Sequence, residues 1–588
     1  MSILIKTVRV AGFRGLENLE VELEQTTVLT GMNNTGKTSF LKALQIALGN
    51  RQFVSQDDFF IKDNRCAEQI TIDVLIVPLD ANGKQSDDFS EDWEVLFTTD
   101  RIRTDGIKSF LPLRTTVTFD AIKNSYKVQQ TILKEWFAFE AGETDWLNAD
   151  KGNKTTFRFD ELPFFYMDAQ RDILEDTKLR SSYLGKMLSK IKYSTDDIKA
   201  IEQQIEQLNE KAVSSSDILS NIKETLKGLD SALDNQSGGI EITPFTKKIR
   251  DLNKGLTIYY GDSQDSFSME YHGMGTRSWS SLLTLKSFIG LLASNAETGK
   301  TVFFPVLAIE EPEAHLHPNA QKQLYSQINS IAGQKIISTH SPYIAAVAEL
   351  GQIRNFYKDH RVHCGRVAID VLEDDEAQRK IERQVINTRG EIFFSKLMVF
   401  FEGETEEQAL PIFAKCHFEQ SAVEMGIDFV GVGGYKSYLP FLWFAESLNI
   451  PWLILSDSEN TTVESVKKQF RTSNSSKKKS DVIVFLDKGN DFERQLVADG
   501  FQDEIRKSIA SFDSYDNEQH REAKESQRLA EIEQFSDDDL YTEITKKKTM
   551  FAPVIAEQIV KSDKALPPKI LELFGKIKSM LNITEEVS

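Results

Sequence analysis

The segment Gly31-Met-Asn-Asn-Thr-Gly-Lys-Thr38 places two glycines five residues apart, followed at once by a lysine, a threonine and Ser39. Glycines at that spacing let the N–H groups of a loop, here including Asn33 and Asn34, converge on phosphate oxygens. Gly36 then leads to Lys37, which supplies a cation for β and γ oxygens, and Thr38, which offers Mg²⁺ a hydroxyl. Such a loop needs carboxylates at the end of another buried strand. Glu310 and Glu311 end the apolar run Val306-Leu-Ala-Ile, where Glu310 suits the Mg²⁺ and Glu311 suits the attacking water. His340, in Ser338-Thr-His-Ser-Pro342, ends the next apolar run, and a histidine there can sit beside a γ-phosphate.

A second group of acids lies further along. Glu402-Gly-Glu404-Thr-Glu406 follows Val399-Phe-Phe, Asp457-Ser-Glu459 follows Ile454-Leu-Ser, and Asp491-Phe-Glu493 comes after the apolar run Val482 to Leu486. Single acids at strand ends are commonly just solvated. The clusters at Glu402 and Asp457, after two strands of one parallel sheet, converge on its C-terminal edge, where open α/β sheets bind ligands, and Asp491 and Glu493 offer more carboxylates. Carboxylates grouped there repel unless a cation lies among them, and hard oxygen donors suit Mg²⁺ or Mn²⁺. Lys546-Lys-Lys548 adds a cation, with the register among the three lysines left open.

The elements that must hold these residues read as alternating strands and helices. Ile3 to Val10, Leu19 to Leu23 and Thr26 to Leu29 read as strands, the last running into the glycine loop and then a helix marked by Phe40, Leu41, Leu44 and Ile46. Val302 to Ile309 and Lys335 to Ser338 read as inner strands of a parallel sheet. Between Tyr183 and Leu233 the chain turns polar and helical. Ile198, Ile201, Ile205 and Leu208 form one stripe, and Ile218 or Leu219, Ile222, Leu226, Leu229 and Leu233 form another. That pattern describes a helical hairpin, which either packs on itself or joins protomers. After a charged stretch at 374–394, strands at Leu397 to Phe401, Asp428 to Val432 and Trp452 to Leu455 alternate with helices in a second βαβ series. The densely charged run 503–549 reads mostly as a solvated helical face.

Composition narrows the class. With 588 residues, 40% hydrophobic and 27% charged, the chain has room for two or more globular domains. Seventy Lys and Arg against 90 Asp and Glu leave a net charge of −20, so a polyanion can be bound only through a local basic patch. The three cysteines, Cys66, Cys364 and Cys416, lack any zinc or disulfide spacing. No apolar run is long enough for a membrane span and the N-terminus has no cleavable signal, so the expected location is a reducing cytoplasm.

The first motif set resembles the ATP-binding-cassette ATPases of the chromosome-maintenance and recombination type. That resemblance implies ATP held between two head domains, hence at least a homodimer. It assigns Gln170, in Tyr166-Met-Asp-Ala-Gln-Arg171, to the glutamine loop and Gly273-Met-Gly-Thr-Arg277-Ser278 to the signature segment. The acid group resembles a Toprim domain, with Glu459 where that pattern has Asp. The order of motifs along the whole chain resembles the overcoming-lysogenization-defect (OLD) nuclease family. This likeness implies two-metal DNA cleavage with Glu402, Glu406, Asp457, Glu459, Asp491 and Glu493 on the metals and Lys548 steadying the transition state. It also implies a bacterial or phage source, a part in antiphage defence, and for some members a helicase or a reverse transcriptase with its RNA-linked DNA as partner.

The expected fold is therefore α/β, divided as an ATPase domain at 1–175 and 241–380, a helical insertion at 176–240 and a Toprim domain at 391–588. Its expected activity is ATP-regulated, metal-dependent DNA cleavage. An ATP-driven DNA clamp with a non-cleaving Toprim domain is the competing class, and a topoisomerase fails for want of a tyrosine in a nucleophile context. If the insertion joins protomers, replacing 183–233 by a short Gly-Ser bridge lowers the assembly mass seen by light scattering; unchanged mass contradicts the dimerisation reading.

Overall fold

The computed structural model describes residues 2–49, 54–140, 143–178, 182–189, 194–222, 224, 244, 259–260, 267–367, 379, 390–511 and 518–583. They form two compact units, one of Met1–Phe89, Phe97–Phe157 and Ile336–Ser588, the other of Ser90–Leu96 and Arg158–Lys335. The mixed α/β class agrees with the sequence, but the C-terminal lobe and the phosphate-loop strands share one unit.

In the first unit, an antiparallel sheet runs in the order Lys151–Thr155, Ser125–Leu133, Lys108–Asp120, Gln69–Leu79, Ser2–Phe13, Leu16–Glu22. Ile70, Ile72, Val74 and Ile76 alternate along one strand and are each 0% exposed, as β-branched residues on one pleat face should be. Arg114 crosses this sheet fully buried. Its Nε and Nη2 donate to both oxygens of Asp73 at 2.7 Å, and its remaining donors reach the carbonyls of Trp146 and Leu147.

Thr26–Gly31 lies between the strand Gln334–Ser338, whose last three residues belong to this unit, and Ile353–Lys358. It is parallel to the latter, with Gly31 opposite Phe356. Gly31 has φ +124, and a Cβ there would stand 2.1 Å from the Phe356 carbonyl oxygen, so only glycine lets the strand turn into the loop.

The C-terminal lobe is a four-stranded parallel sheet ordered Ile427–Gly431, Leu397–Phe401, Trp452–Ser456, Ile483–Phe485. Helices Glu404–Phe418, Tyr438–Ser447 and Asn460–Thr472 connect the first three strands and follow the third. Helix Lys548–Lys561 packs on Glu404–Phe418. Asn355 ties this lobe to the loop strand: its Oδ1 accepts from Thr30 Oγ1 at 3.3 Å, and its Nδ2 donates to the Leu448 carbonyl at 2.8 Å.

In the second unit, Phe164–Met167 runs parallel to Val306–Glu310, and Met274–Gly299 and Pro318–Asn329 are helices. The acidic strand starts at Val306 rather than the expected Val302, after Pro305, which has no N–H to give a ladder. Of the expected arm, helix Thr195–Ser214 is described; it is capped by the Ser194 side chain accepting from Asp197 N. Its buried positions are Ile205, Asn209 and Val213, while Leu208 is 55% exposed. The stripe thus turns one residue away from Leu208. Leu226, Leu229 and Leu233 lie outside the described residues, as does most of 374–394.

Arg114→Met is expected to lower unfolding stability by about 3–5 kcal/mol, because it strands a buried carboxylate. Denaturant unfolding of the purified variant checks this; a loss under about 1 kcal/mol contradicts the ion pair's assigned role.

Candidate functional site

The glycine loop at 31–38 is shaped by backbone conformations that few residues tolerate. Gly36 caps helix Lys37–Ala47 with φ 99, and Asn34 sits at φ 61, where asparagine is among the better-tolerated residues. Lys37 is only 5% exposed, and its Nζ donates to the carbonyls of Gly31 at 2.8 Å and Met32 at 2.9 Å. Thr38, Asn33 and Asn34 are exposed and Ser39 is half-buried. A Cβ on Gly36 would meet Leu16 and Val362, beside residues that line a cavity of about 920 Å³, among them Arg14, Asp58, Lys358, His360 and Arg361. On the neighbouring strand, Thr339 N donates to the Leu29 carbonyl at 3.0 Å. The His340 ring that follows lies 6.4 Å from that of Phe394.

Glu310, Glu311 and Gln170 belong to the second unit. Glu310 is 5% exposed at the end of its strand, and Glu311 turns the chain with φ 39. Gln170 is exposed, its backbone N–H donating to Asp168 Oδ1 at 3.2 Å. The signature-like segment opens helix Met274–Gly299 with Gly273 at its cap. Gly275 is required there, since a Cβ would stand 2.4 Å from the His315 carbonyl oxygen. Arg277 pairs with Asp172. Sequence reasoning passed over Arg171, whose buried guanidinium binds carbonyls of the acidic turn; its only signal was its place beside Gln170.

The C-terminal carboxylates meet at the C-terminal edge of the lobe's parallel sheet. Glu402 follows Leu397–Phe401 and accepts from Ser456 Oγ at 2.8 Å. Burial raises its pKa, and the Glu459 charge adds to the rise. Glu406, on the next helix, is pushed up to about 7 by burial, with Glu493 and Glu402 adding repulsion. Asp457 is pushed up to about 9, by burial first and then by Glu406, Glu402, Asp491 and Glu493. Its Oδ1 is buried and has no hydrogen-bond partner.

Opposite these acids stands Lys548, whose Nζ lies 3.0 Å from Glu493 and 3.6 Å from Asp491. Burial works against its charge, but the hydrogen bond and charge of Glu493 and the charge of Asp491 raise its pKa. Glu493 also accepts from Thr405 Oγ1 at 2.7 Å, and Asp491 accepts from Tyr541 at 2.8 Å. Lys546 pairs instead with Glu543. Glu459 is exposed where it starts helix Asn460–Thr472 and reaches the group through its charge on Glu402. Thr405, Ser456 and Tyr541 were absent from the sequence reading, since hydroxyls carry no strand-end pattern.

A family model described as an AAA ATPase domain matches residues 4–345, and one described as an overcoming lysogenization defect protein-like TOPRIM domain matches residues 393–458. The chain belongs to the AAA ATPase family and carries an OLD-like TOPRIM domain. It is similar to the OLD nuclease of Thermus scotoductus, 23% identical over 492 residues that cover 78% of this chain and 82% of that protein. The endonuclease GajA of Bacillus cereus is 23% identical over 425 residues, covering 68% of this chain and 66% of that one. The solved C-terminal region of the Burkholderia pseudomallei OLD protein covers 32% of this chain and 99% of its own, at 20% identity and a TM-score of 0.25.

The TOPRIM carboxylates fit a hard divalent cation in kind, as an all-oxygen set with one buried, unpartnered oxygen on Asp457. Among the described residues, no three His, Cys, Asp or Glu side chains already stand as a finished ligand set, so side chains must draw in around a cation. A proton held by Asp457 and, in part, by Glu406 at pH 7 must leave when they do. Mg²⁺ titration calorimetry in buffers of different ionisation enthalpy is expected to show release of roughly 1.5 protons per site at pH 7, falling at pH 9 as Asp457 loses its proton beforehand. Heats independent of buffer contradict the raised pKa values.

Proposed function

We propose that this chain is an ATP-regulated DNA endonuclease or nickase that depends on Mg²⁺ or Mn²⁺, acts as a homodimer or larger homo-oligomer, and serves in antiphage defence. The observation that carries the reading is the meeting of Glu402, Glu406, Asp457, Asp491 and Glu493 with Lys548 at one sheet edge of a TOPRIM domain. The nuclease names of its relatives support the same substrate class.

In this reading Glu402, Glu406, Asp457, Glu459, Asp491 and Glu493 would hold the two divalent cations. Bound divalent cations would supply Lewis acidity and a more acidic water. Ser456 and Thr405 orient Glu402 and Glu493 through the hydrogen bonds described above. Lys548 places a positive charge where negative charge grows on a phosphodiester. At the nucleotide site, Gly31, Gly36, Lys37, Thr38 and Ser39 cradle the ATP phosphates, and Glu310 and Glu311 serve the Mg²⁺ and the water. His340 sits beside the γ-phosphate, and Gln170 serves as the glutamine-loop residue.

The exposed Glu459 in place of Asp favours a second reading, an ATP-driven DNA clamp whose TOPRIM domain binds DNA without cutting it. Plasmid nicking with Mg²⁺ or Mn²⁺ separates the two. Wild type is expected to nick, Asp457→Ala to lose activity by at least about a hundredfold while staying folded, and Lys548→Ala to slow cleavage more than it weakens DNA binding. Nicking by a folded Asp457→Ala protein at the wild-type rate contradicts the nuclease assignment. For ATP control, Lys37→Ala removes phosphate binding and Glu311→Gln binds ATP but slows its hydrolysis, so their nicking rates are expected to move in opposite directions from wild type with ATP present. Equal rates in all three proteins, with and without ATP, contradict nucleotide gating.

A further inference from the structure

Arg171 takes no part in the chemistry described so far, yet it is 7% exposed; its two terminal nitrogens go to backbone carbonyls, while Nε is buried without a hydrogen-bond partner. Nη1 donates to the carbonyls of Asp168 at 3.2 Å and Glu310 at 3.1 Å, and Nη2 to those of Glu311 at 3.4 Å and Pro312 at 2.6 Å. Three successive carbonyls of the acidic turn therefore face one guanidinium. In an extended strand successive residues alternate in direction, so this arrangement requires a turn, and Glu311 makes it at φ 39. A residue with a Cβ enters that region only when its surroundings hold it there, and such residues cluster at functional sites. The direction of the Glu311 side chain follows from that backbone conformation. The guanidinium is a planar fork that can serve several acceptors at once, which an ammonium on a flexible stem does not reproduce.

We propose that Arg171 is a positioning residue of the nucleotide site, clamping the backbone of Glu310–Pro312 so that the Glu311 carboxylate is aimed at the attacking water. The inference rests on the reading of Glu310 and Glu311 as ATP-site residues. Arg171 acts through Glu311 and touches no reacting atom itself. Its loss lowers turnover and leaves phosphate binding, which belongs to the loop at 31–38, in place.

The test uses the full chain with Arg171→Lys, Arg171→Met, Glu311→Gln and the double variant Arg171→Lys/Glu311→Gln. Steady-state ATP hydrolysis, binding of a fluorescent ATP analogue with Mg²⁺, and thermal unfolding are measured for each. Arg171→Lys, which keeps a buried cation, is expected to fold and to lose at least about tenfold in kcat with KM and analogue binding within about threefold of wild type. In the double variant, Arg171→Lys is expected to lower the residual turnover of Glu311→Gln by less than about twofold, because the clamp has no carboxylate left to aim. Wild-type kcat in Arg171→Lys overturns the inference, as does an equal fractional loss in the wild-type and Glu311→Gln backgrounds, the mark of a purely structural residue. If Arg171→Met does not fold, the Lys variant and the double variant still decide the matter. Unchanged hydrolysis in Glu311→Gln overturns the reading of Glu311 and the inference with it; abolished hydrolysis there with normal Arg171→Lys turnover overturns the inference alone.

Discussion

Like charges held close together at the edge of a buried sheet are the constraint around which the C-terminal lobe is arranged. Asp457, Glu402 and Glu406 leave their elements into partly or fully desolvated space; burial raises all three pKa values, Glu402 adds to the rise of Glu406, and both add to that of Asp457. A folded protein can keep such a group by protonating it, by pairing it with a cation of its own, or by binding a cation from solution. This lobe uses the second device for Asp491 and Glu493, through Lys548. Asp457 has no such partner for its Oδ1, and that leaves protonation or an external cation.

The surrounding fold keeps this arrangement from relaxing. Leu397–Phe401 and Trp452–Ser456, which deliver Glu402 and Asp457, are buried along their whole length, and Lys548 arrives on a helix packed against Glu404–Phe418. Rigid elements hold charges in positions that mobile loops would abandon. Through Asn355, the same lobe is hydrogen-bonded to Thr30, the residue before the phosphate loop. The loop thus has a short covalent and hydrogen-bonded connection to the carboxylate-bearing lobe.

Much of this was legible in the sequence because its signals are local. The glycines, lysine and threonine of 31–38 require one another within a single turn, and the strand before and helix after them announce themselves by apolar period. The same holds for Glu402 and Asp457, which sit at the ends of short apolar runs. What escaped depends on partners far away in the chain. Arg171 meets its acceptors across 139 to 141 residues, and no spacing rule reaches that far. In the antiparallel sheet at 2–155, strands Gln69–Leu79 and Lys108–Asp120 were missed because most of their residues are buried on both faces, which erases the alternation that marks a half-exposed strand. Leu208 fell off the expected stripe by one position, since a helix face is set by what packs on it and an apolar residue can as well face water. Choosing Lys548 from three consecutive lysines needed the start of helix Lys548–Lys561, which brings that side chain to Glu493.

The most direct measurement is the thermal stability of the metal-free protein against Asp457→Asn at pH 8, with and without Mg²⁺. At that pH the unfolded aspartate is ionised while the folded one, at about 9, still holds its proton, so the folded state of wild type is penalised, and increasingly so as pH rises from about 4 to about 9. The amide carries no such penalty. The account predicts that Asp457→Asn melts higher than wild type without metal, and that Mg²⁺ raises the wild-type midpoint but not that of the variant. A variant that melts lower in the absence of metal, or that gains as much from Mg²⁺ as wild type does, would contradict it.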